Sequence, residues 1–266
     1  MRKGDVGSAV SGLQRLLIAT GFKLATDGWF GPATEAAVIA FQRRAGLVAD
    51  GIAGPKTLAA LESRARDPRH LSERDLEMVA ARLDVPLAAI KAVSEVESRG
   101  AGFVADGRPA ILYERHVVYR LLGEGGMAAD DIERLSSRYP NLVSPQRGGY
   151  AGGTAEWARL ASARQIIASD AANGACSWGQ FQIMGYHWKT LGYDSCDAFV
   201  AAMHQSEAAQ LDAFARFIEA DPALHKALKA RKWADFARRY NGPAYRDNDY
   251  DIKLARSFER HSRVAT

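Results

Sequence analysis

The chain has 266 residues, enough for one large domain or two smaller ones, and its 47% apolar and 25% charged residues are ordinary for a soluble globular protein. No run of about 18 apolar residues occurs, so the sequence predicts no transmembrane helix. The first residues lack the apolar segment of a secretory signal, and we therefore expect no classical signal peptide.

Positive charge is concentrated at the two ends of the chain. Residues 226–266 carry 11 Lys/Arg against 5 Asp/Glu, whereas the whole chain has a formal net charge of only +4. Basic ends indicate an anionic partner, and charge alone fits nucleic acid as well as a cell envelope. No zinc-finger spacing or RNA-binding aromatic motif accompanies the charge, so we do not expect a nucleic-acid partner.

An internal repeat lies within residues 4–61. The segment DGWFGPAT at 27–34 recurs as DGIAGPKT at 50–57. Each copy predicts an Asp-Gly turn followed by a helix with proline in its first turn. Apolar residues at helical spacing surround the copies: Val10, Leu13, Leu16, Leu17, Ala37, Val38, Phe41, Leu58 and Leu61. The pattern predicts a compact unit of three helices.

A polar linker is predicted at residues 63–72, and a new helix follows it. Ser72 is placed to cap this helix, with Asp75 three residues later as an acidic capping-box partner. The segment 84–86, Asp-Val-Pro, ends the helix, and a further amphipathic helix covers the stretch from Ala89 towards Gly100 or Gly102.

Two glutamates near the end of this second helix have different predicted environments. Ile90, Val93, Ser94 and Glu97 share one helical face. We therefore expect Glu97 to face the apolar interior, where desolvation raises the pKa of its carboxyl group, as a general acid requires. Glu95 lies off that face, and we expect an exposed ion pair with Lys91, four residues earlier.

The rest of the chain is predicted to be mostly helical. A short extended segment within 109–116 is expected to enter a helix that runs through Leu122, and one small hairpin is expected near 103–114. Residues 140–153 are rich in glycine and proline and predict a loop. Helices are expected at 154–172, over most of 197–239 and at 249–263, and the segment 173–186 is expected to form a buried turn.

These segments resemble two known families. The repeat, with the opening GDVGSAV at 4–10 and Leu13-Gln14, resembles the peptidoglycan-binding domain of cell-wall hydrolases. Glu97-Ser98, GQFQI at 179–183 and RYNG at 239–242 resemble the three motifs of the lysozyme-like superfamily. More narrowly, four segments are similar to the N-acetylmuramidase domain of modular phage endolysins. They are SEVESRGAGF, PAILYERH, RYP followed by GGY, and SWGQFQIMGYHW.

The resemblance implies a mainly α chain with a small three-helix binding domain and a larger lysozyme-like helical (α+β) catalytic domain. The expected bounds are 1–62 for the binding domain, 63–72 for the linker and 73–266 for the catalytic domain. Within the binding domain, Asp27, Trp29 and Phe30 are candidates for a ligand groove, although Trp29 and Phe30 are equally suited to the core.

Glycosidic hydrolysis needs a proton donor and a second carboxylate in a different environment. Glu97 is the predicted donor. Glu114, which follows an apolar segment and precedes Arg115 and His116, is the predicted second carboxylate; the alternative is an ordinary acidic residue at a helix start. Tyr150, Gln182, Tyr240 and Asn241 are predicted to bind the substrate, since amides both donate and accept hydrogen bonds and tyrosines stack on sugars.

The predicted function is hydrolysis of the β-1,4 bond between N-acetylmuramic acid and N-acetylglucosamine in peptidoglycan. A lytic transglycosylase, which forms an anhydro product from the same bond, is the alternative, and a non-catalytic wall-binding protein is a further one. A zinc amidase is disfavoured because the six histidines are scattered without ligand spacing. Whether the anomeric configuration is retained or inverted depends on the carboxylate separation.

No cofactor or metal is predicted. Cys176 and Cys196 lack metal-ligand spacing, and we expect two buried thiols, with a disulfide as the alternative outside the cytoplasm. The expected partner is peptidoglycan, and the protein is expected to be a monomer. Arg256, Arg260 and Arg263 raise the hypothesis of an additional contact with an anionic outer-membrane surface. We expect synthesis in the host cytoplasm and action on the periplasmic wall after release.

Overall fold

A computed structural model describes residues 1–63, 67–97 and 102–264. Its contacts group the chain into two compact units, Met1–Val96 with Ala227–Thr266, and Glu97–Lys226. Each is mainly helical, and a small sheet lies in the second, which confirms the predicted fold class. In the described part of the chain, no helix is long and apolar enough to cross a membrane.

Helices account for most of the described residues. In chain order they are α1 (Ser8–Ala19), α2 (Pro32–Arg44), α3 (Pro55–Ser63), α4 (Glu73–Arg82), α5 (Leu87–Glu97), α6 (Arg115–Glu124), α7 (Ala129–Arg138), α8 (Ala155–Ile166), α9 (Ser169–Gly174), α10 (Cys196–Gln205), α11 (Glu207–Ala220), α12 (Pro222–Lys229), α13 (Trp233–Asn241) and α14 (Tyr250–Val264). Short 3-10 helices cover Gly185–His187 and Pro243–Asn248.

The predicted three-helix unit is formed by α1, α2 and α3. Its core contains the predicted apolar positions together with the buried ring of Phe30, whereas Leu16 and Leu58 pack at its edge. Trp29 is 52% exposed. Of the two aromatic residues in the first repeat, Phe30 therefore belongs to the core and Trp29 to the surface.

A buried glutamine closes the first repeat. Gln14, on α1, donates from its amide nitrogen to the Asp27 carboxylate at 2.7 Å, to the Trp29 carbonyl at 3.1 Å and to the Thr34 hydroxyl at 3.1 Å. Its amide oxygen accepts the backbone N–H of Gly28 at 3.0 Å. One side chain thus joins the turn, the following helix and the preceding helix, which explains why the repeat contains Asp, Gly and Thr at fixed spacing.

The second repeat is closed in the same way by Gln42, on α2. Its amide nitrogen donates to Asp50 at 2.8 Å, to the Ile52 carbonyl at 3.0 Å and to Thr57 at 3.1 Å. Its amide oxygen accepts the N–H of Gly51 at 2.9 Å. Both glutamines are 1% exposed, but Asp27 is exposed and Asp50 is half-buried, so the second network is the better shielded from water.

The start of α4 confirms the predicted capping box. The Ser72 hydroxyl accepts the N–H of Asp75, and the Asp75 carboxylate accepts the N–H of Ser72 at 2.8 Å. The linker predicted before it falls partly on residues 64–66, outside the described residues.

The predicted exposed pair of Glu95 with Lys91 is wrong. Lys91 is 8% exposed and pairs with Glu73, on α4, at 2.5 Å. Glu95 instead forms an ion pair with Arg260 on α14. A spacing of four residues permits a contact within one helix, but both side chains face neighbouring helices here, so partners distant in sequence take their place.

Ala49 is held at both ends of its backbone by the Lys91–Glu73 pair. Its N–H donates to the Glu73 carboxylate at 2.9 Å, and its carbonyl accepts the Lys91 ammonium at 3.2 Å. We call this arrangement the Ala49 clamp. It connects the segment before the second repeat turn directly to α4 and α5.

A three-stranded antiparallel sheet lies in the second unit. Its strands are β1 (Ile111–Tyr113), β2 (Cys176–Trp178) and β3 (Ile183–Met184), in the order β1-β2-β3. The small hairpin predicted near 103–114 is present only as a bridge between Phe103 and Pro109. β1 pairs instead with the segment predicted as a buried turn, because that segment supplies a strand on each side of the bend at 179–182.

Candidate active site

Glu114 occupies the junction between β1 and α6. It is the N-cap residue of α6, without a side-chain capping bond, and its side chain is 16% exposed. The Tyr150 hydroxyl donates to both carboxylate oxygens, at 3.0 and 2.9 Å. The His116 ring nitrogen Nδ1 lies 3.2 Å from one of them. The carboxylate is therefore held beside a helix N-terminus, where a negative charge is stabilised.

Burial sets the protonation state of the groups around Glu114. Burial lowers the pKa of His116, although the Glu114 carboxylate acts in the opposite direction, so the ring is neutral near pH 7. Burial, followed by the hydrogen bond to Glu114, raises the pKa of the Tyr150 hydroxyl. Tyr150 consequently remains a donor across the neutral range.

Arg115 holds the loop that leads to Tyr150. Its guanidinium donates to the carbonyls of Pro140, Gln146 and Arg147 at 3.0, 3.0 and 2.9 Å. Gly149 has a φ of +78°, and a Cβ atom there would lie 3.2 Å from the Arg115 guanidinium carbon. The residue next to Glu114 thus fixes the backbone immediately before Tyr150.

Glu156 holds the same loop from the other side. This fully buried carboxylate accepts the N–H groups of Ala151 and Gly152 at 2.6 and 2.9 Å and pairs with Arg159 at 2.7 Å. Burial opposes its ionisation, but the hydrogen bonds from Gly152, Arg159 and Ala151 together lower the pKa of Glu156. Tyr150 therefore lies between two anchored segments.

The Gln182 side chain is exposed but fixed. Its amide oxygen accepts the Ser177 hydroxyl at 2.6 Å, and its amide nitrogen donates to the Gly179 carbonyl at 2.7 Å. Its φ of +50° is rare for a residue with a side chain. Such a conformation is maintained only where the surroundings determine it, and it occurs preferentially at functional sites.

Gln210, on α11, connects this turn with the segment that follows Glu97. Its amide oxygen accepts the Gln180 N–H at 2.7 Å, and its amide nitrogen donates to the Gly102 carbonyl at 3.1 Å. The neighbouring Glu207 accepts the Gly102 N–H at 2.9 Å. Both α11 side chains are buried, so the two motif-bearing segments are joined through the interior of the unit.

Glu97 is the last residue of α5 and is half-buried rather than enclosed. The predicted apolar face is confirmed for Ile90, Val93 and Ser94, which are buried. Ser98, its partner in the motif, lies outside the described residues. Glu97 and Glu114 belong to the same compact unit.

Tyr240 and Asn241 end α13, in the other unit, and both are half-buried. The ring of Tyr240 stacks on Phe236 with 5.6 Å between centroids and 8° between planes. Trp178 and Phe181, in the segment SWGQFQIMGYHW, belong to the core and are 0% and 1% exposed.

Both cysteines are buried free thiols. Burial raises the pKa of Cys176 and raises that of Cys196 to about 12, so neither is a reactive thiolate. Among the described residues, no group of three His, Cys, Asp or Glu side chains is arranged to hold a metal ion.

Glu156, Glu207 and Gln210 lie outside the motif segments, and no role was predicted for them from the sequence. Arg115 lies within one of these segments, but it was predicted only as a cationic neighbour of Glu114. Their common feature is a buried or half-buried polar side chain that binds backbone groups, and this is visible only in the folded chain.

Two family models match the chain. Residues 86–262 match Muramidase, described as N-acetylmuramidase, and residues 6–61 match the putative peptidoglycan binding domain. A solved structure, the crystal structure of Burkholderia AP3 phage endolysin, is 57% identical and superposes with a TM-score of 0.93 over 99% of both chains.

Curated relatives share smaller regions. A zinc D-Ala-D-Ala carboxypeptidase of Streptomyces albus G is 53% identical over 60 residues, 21% of this chain and 24% of the relative. The N-acetylmuramoyl-L-alanine amidase CwlM of Mycobacterium tuberculosis is 32% identical over 185 residues, 65% of this chain and 44% of the relative. The chain thus spans less than half the length of these relatives.

The muramidase model covers more than half of the chain, and the solved endolysin covers nearly all of it. The chain therefore belongs to the N-acetylmuramidase family of lysozyme-like glycoside hydrolases and carries a peptidoglycan-binding domain ahead of its muramidase domain.

Proposed function

We propose that this protein is a phage endolysin that hydrolyses the β-1,4 bond between N-acetylmuramic acid and N-acetylglucosamine. The observation that carries the proposal is the pair of carboxylates at opposite kinds of helix end, Glu97 at the end of α5 and Glu114 at the start of α6. Helix ends differ in potential: the C-terminus disfavours a negative charge and the N-terminus favours it.

In this proposal Glu97 protonates the leaving glycosidic oxygen, and Glu114 acts as the ionised carboxylate towards the positively charged sugar or the attacking water. The hydrogen bonds from Tyr150 hold the Glu114 carboxylate in one orientation.

We assign substrate contacts to Tyr150, Gln182, Tyr240 and Asn241. The amide of Gln182 is oriented by Ser177 and Gly179, and so offers a fixed polar group to sugar hydroxyl or N-acetyl groups. Tyr240 and Asn241 rest on their place in the RYNG motif at 239–242. The domain bounds 1–62, 63–72 and 73–266 are proposed with them.

The test is mass spectrometry of purified peptidoglycan after digestion by the wild type and by Glu97→Gln and Glu114→Gln. We expect reducing muramic-acid ends from the wild type and their loss by at least about a hundredfold in either variant, since each removes a group that takes part in the bond cleavage. Anhydro-muramic ends would identify a lytic transglycosylase instead, and free stem peptides would contradict a glycosidase.

The proposed partner is peptidoglycan, and we propose that the protein acts as a monomer on the periplasmic wall after synthesis in the host cytoplasm. Contact with an anionic outer-membrane surface stays a prediction from the basic C-terminal sequence. One of the three arginines on which it rests, Arg260, is engaged with Glu95.

A further inference from the structure

A charged cleft of about 530 Å³ lies in the unit that contains the binding domain, whereas Glu97 and Glu114 belong to the other unit. It is formed by the start of the chain, the second repeat turn at 50–52 and one side of α14. Five cationic side chains line it: Arg2, Lys3, Arg256, Arg260 and Arg263. The proposed hydrolysis does not use any of them.

Some of these cations already have carboxylate partners. Lys3 pairs with Glu35 at 2.8 Å, and Arg260 pairs with Glu95. By contrast, the exposed guanidinium groups of Arg2 and Arg256 make no ion pair with any residue that the structure describes. Two guanidinium groups, each able to bind a carboxylate with two parallel hydrogen bonds, are therefore available in the cleft.

The cleft also contains negative charge. Glu35 and Glu259 line it together with the cations, and Ile52 supplies an aliphatic surface. A mixed lining of this kind fits a ligand that carries carboxylates, a free amino group and short aliphatic side chains. A phosphate-bearing lipid surface fits less well, because a recessed cleft with acidic groups opposes a polyanionic, flat partner.

We propose that this cleft binds the stem peptides of peptidoglycan, with Arg2 and Arg256 on peptide carboxylates and Glu259 on a free amino group. The inference rests on the proposed function, because it assigns the peptide part of the same wall polymer. The second repeat turn, which belongs to the matched peptidoglycan-binding domain, supplies one wall of the cleft. α14 also lines the cleft, so the peptide is bound by the second repeat turn and the C-terminal helix together.

The test uses the full wild-type chain, since a peptide without a glycosidic bond is not a substrate of the proposed hydrolysis. Calorimetry compares a synthetic stem tetrapeptide containing a diamino acid with the same peptide after amidation of its carboxylates. We expect the free peptide to bind, and amidation or Arg256→Ala to weaken binding by about tenfold, as for loss of a charge-assisted hydrogen bond. Arg2→Ala should act in the same direction.

Lys253→Ala is the matched control, since it removes one exposed positive charge from α14 outside the cleft. If Lys253→Ala and Arg256→Ala weakened peptide binding equally, net charge alone would explain the loss, and the proposal would be overturned. Binding to vesicles containing lipid A that depends on Arg256, without peptide binding, would assign the cleft to the membrane instead.

The glycosidase assay separates the two proposals. Reducing muramic-acid ends from the wild type without any peptide binding would reject the cleft and leave the hydrolysis standing. Peptide binding that depends on Arg256, without reducing ends, would support the cleft and reject the hydrolysis.

Discussion

The hydroxyl of Tyr150 is the only group that we find donating to both oxygens of Glu114 in the described residues. Tyr150→Phe removes these bonds and keeps the ring. We expect turnover of soluble glycan to fall by about tenfold, since one oriented hydrogen bond is worth about 1–2 kcal/mol. Initial rates of reducing-end formation would measure it.

Tyr119→Phe is the control for this change, because the Tyr119 hydroxyl also donates to a glutamate, Glu133, at 2.5 Å on the surface. Its turnover should match the wild type. If both phenylalanine variants keep full turnover, Tyr150 does not orient Glu114 during the reaction.

Glu95 gives a prediction about acid stability. Burial opposes its ionisation, but hydrogen bonds from His261, Ser257 and Arg260 outweigh it and lower the pKa of Glu95 to about 2. Its stabilising contribution is present above the ordinary pKa of about 4.5 and is lost as the pH falls from there towards 2. We expect Glu95→Gln to cost about 2 kcal/mol at pH 7, after allowance for solvent screening, and little at pH 2.

Urea unfolding of the Glu95→Gln variant at several pH values measures this loss. The exposed pair of Glu124 with Arg120 offers the comparison, and Glu124→Gln should cost less than about 0.5 kcal/mol at any pH. A difference between wild type and Glu95→Gln that did not shrink in acid would contradict the assigned ion pair.

Which side chains of a helix are buried was predictable from the sequence where the spacing of apolar residues determines the buried face. Ile90 and Val93 are buried as expected because a helix has only one way to bury both. The partners of Glu95 were not predictable, since Arg260 is separated from it by 165 residues and only the folded chain brings them together. For the same reason the contact between Gln210 and Gly102, which are 108 residues apart, was not predictable.

At the scale of elements, the two glutamine networks make each repeat a closed structural unit. Gln14→Ala leaves the Gly28 N–H and the Asp27 carboxylate without their buried partner. Asp27 is exposed and can be hydrated, so we expect a loss of about 1–2 kcal/mol in the free energy of unfolding, mainly from the Gly28 N–H. Gln42→Ala should cost more, because its partner Gly51 is buried and Asp50 is half-buried.

The exposed Gln165, on α8, is the control, and Gln165→Ala should change the free energy of unfolding by less than about 0.5 kcal/mol. Urea midpoints of the three variants would test the comparison. A loss at Gln14 no larger than that at Gln165 would show that the network does not stabilise the turn.

The close approach of Gly102 to α11 leads to a further prediction. A Cβ atom at Gly102 would lie 2.1 Å from the Gln210 amide oxygen. Gly102→Ala must therefore displace Gln210 and the turn that it holds, and we expect a loss of about 2–4 kcal/mol together with reduced turnover. Added to Gln210→Ala, the same change should cost less, since the nearest clashing group is gone and only the Glu207 Cγ, at 2.8 Å, still has to move.

Gly123→Ala, on α6, provides the contrast, because a Cβ atom there would lie at an ordinary 3.7 Å from Ile132 on α7. We expect it to be neutral or slightly stabilising. Additive losses for Gly102→Ala and Gln210→Ala would mean that the two residues are not coupled.

At the scale of the molecule, the Ala49 clamp joins the binding domain to α4 and α5. Lys91→Met leaves the Glu73 carboxylate without its partner, and we expect a loss of about 2 kcal/mol and faster proteolysis within residues 63–72. Mass spectrometry of timed tryptic digests would show it. Lys23→Met, which changes an exposed lysine of the binding domain outside the clamp, should leave the cleavage rate unchanged.

The family and the order of the binding and catalytic regions along the chain were predictable because their motifs are local. The repeat turns, the GQFQI turn and the RYNG segment each occupy only a few consecutive residues. The Ala49 clamp was not predictable, since it involves only backbone groups of Ala49 and no recognisable side chain.

The clamp contacts only the N–H and the carbonyl of Ala49, groups that almost every amino acid presents. The Ala49 side chain is itself fully buried, however, so a foreign wall-binding module grafted onto this muramidase must place a small residue there. Proline fails for a second reason, because it lacks the N–H. Chimeric enzymes with new wall specificities are thus constrained at this one position of the incoming module.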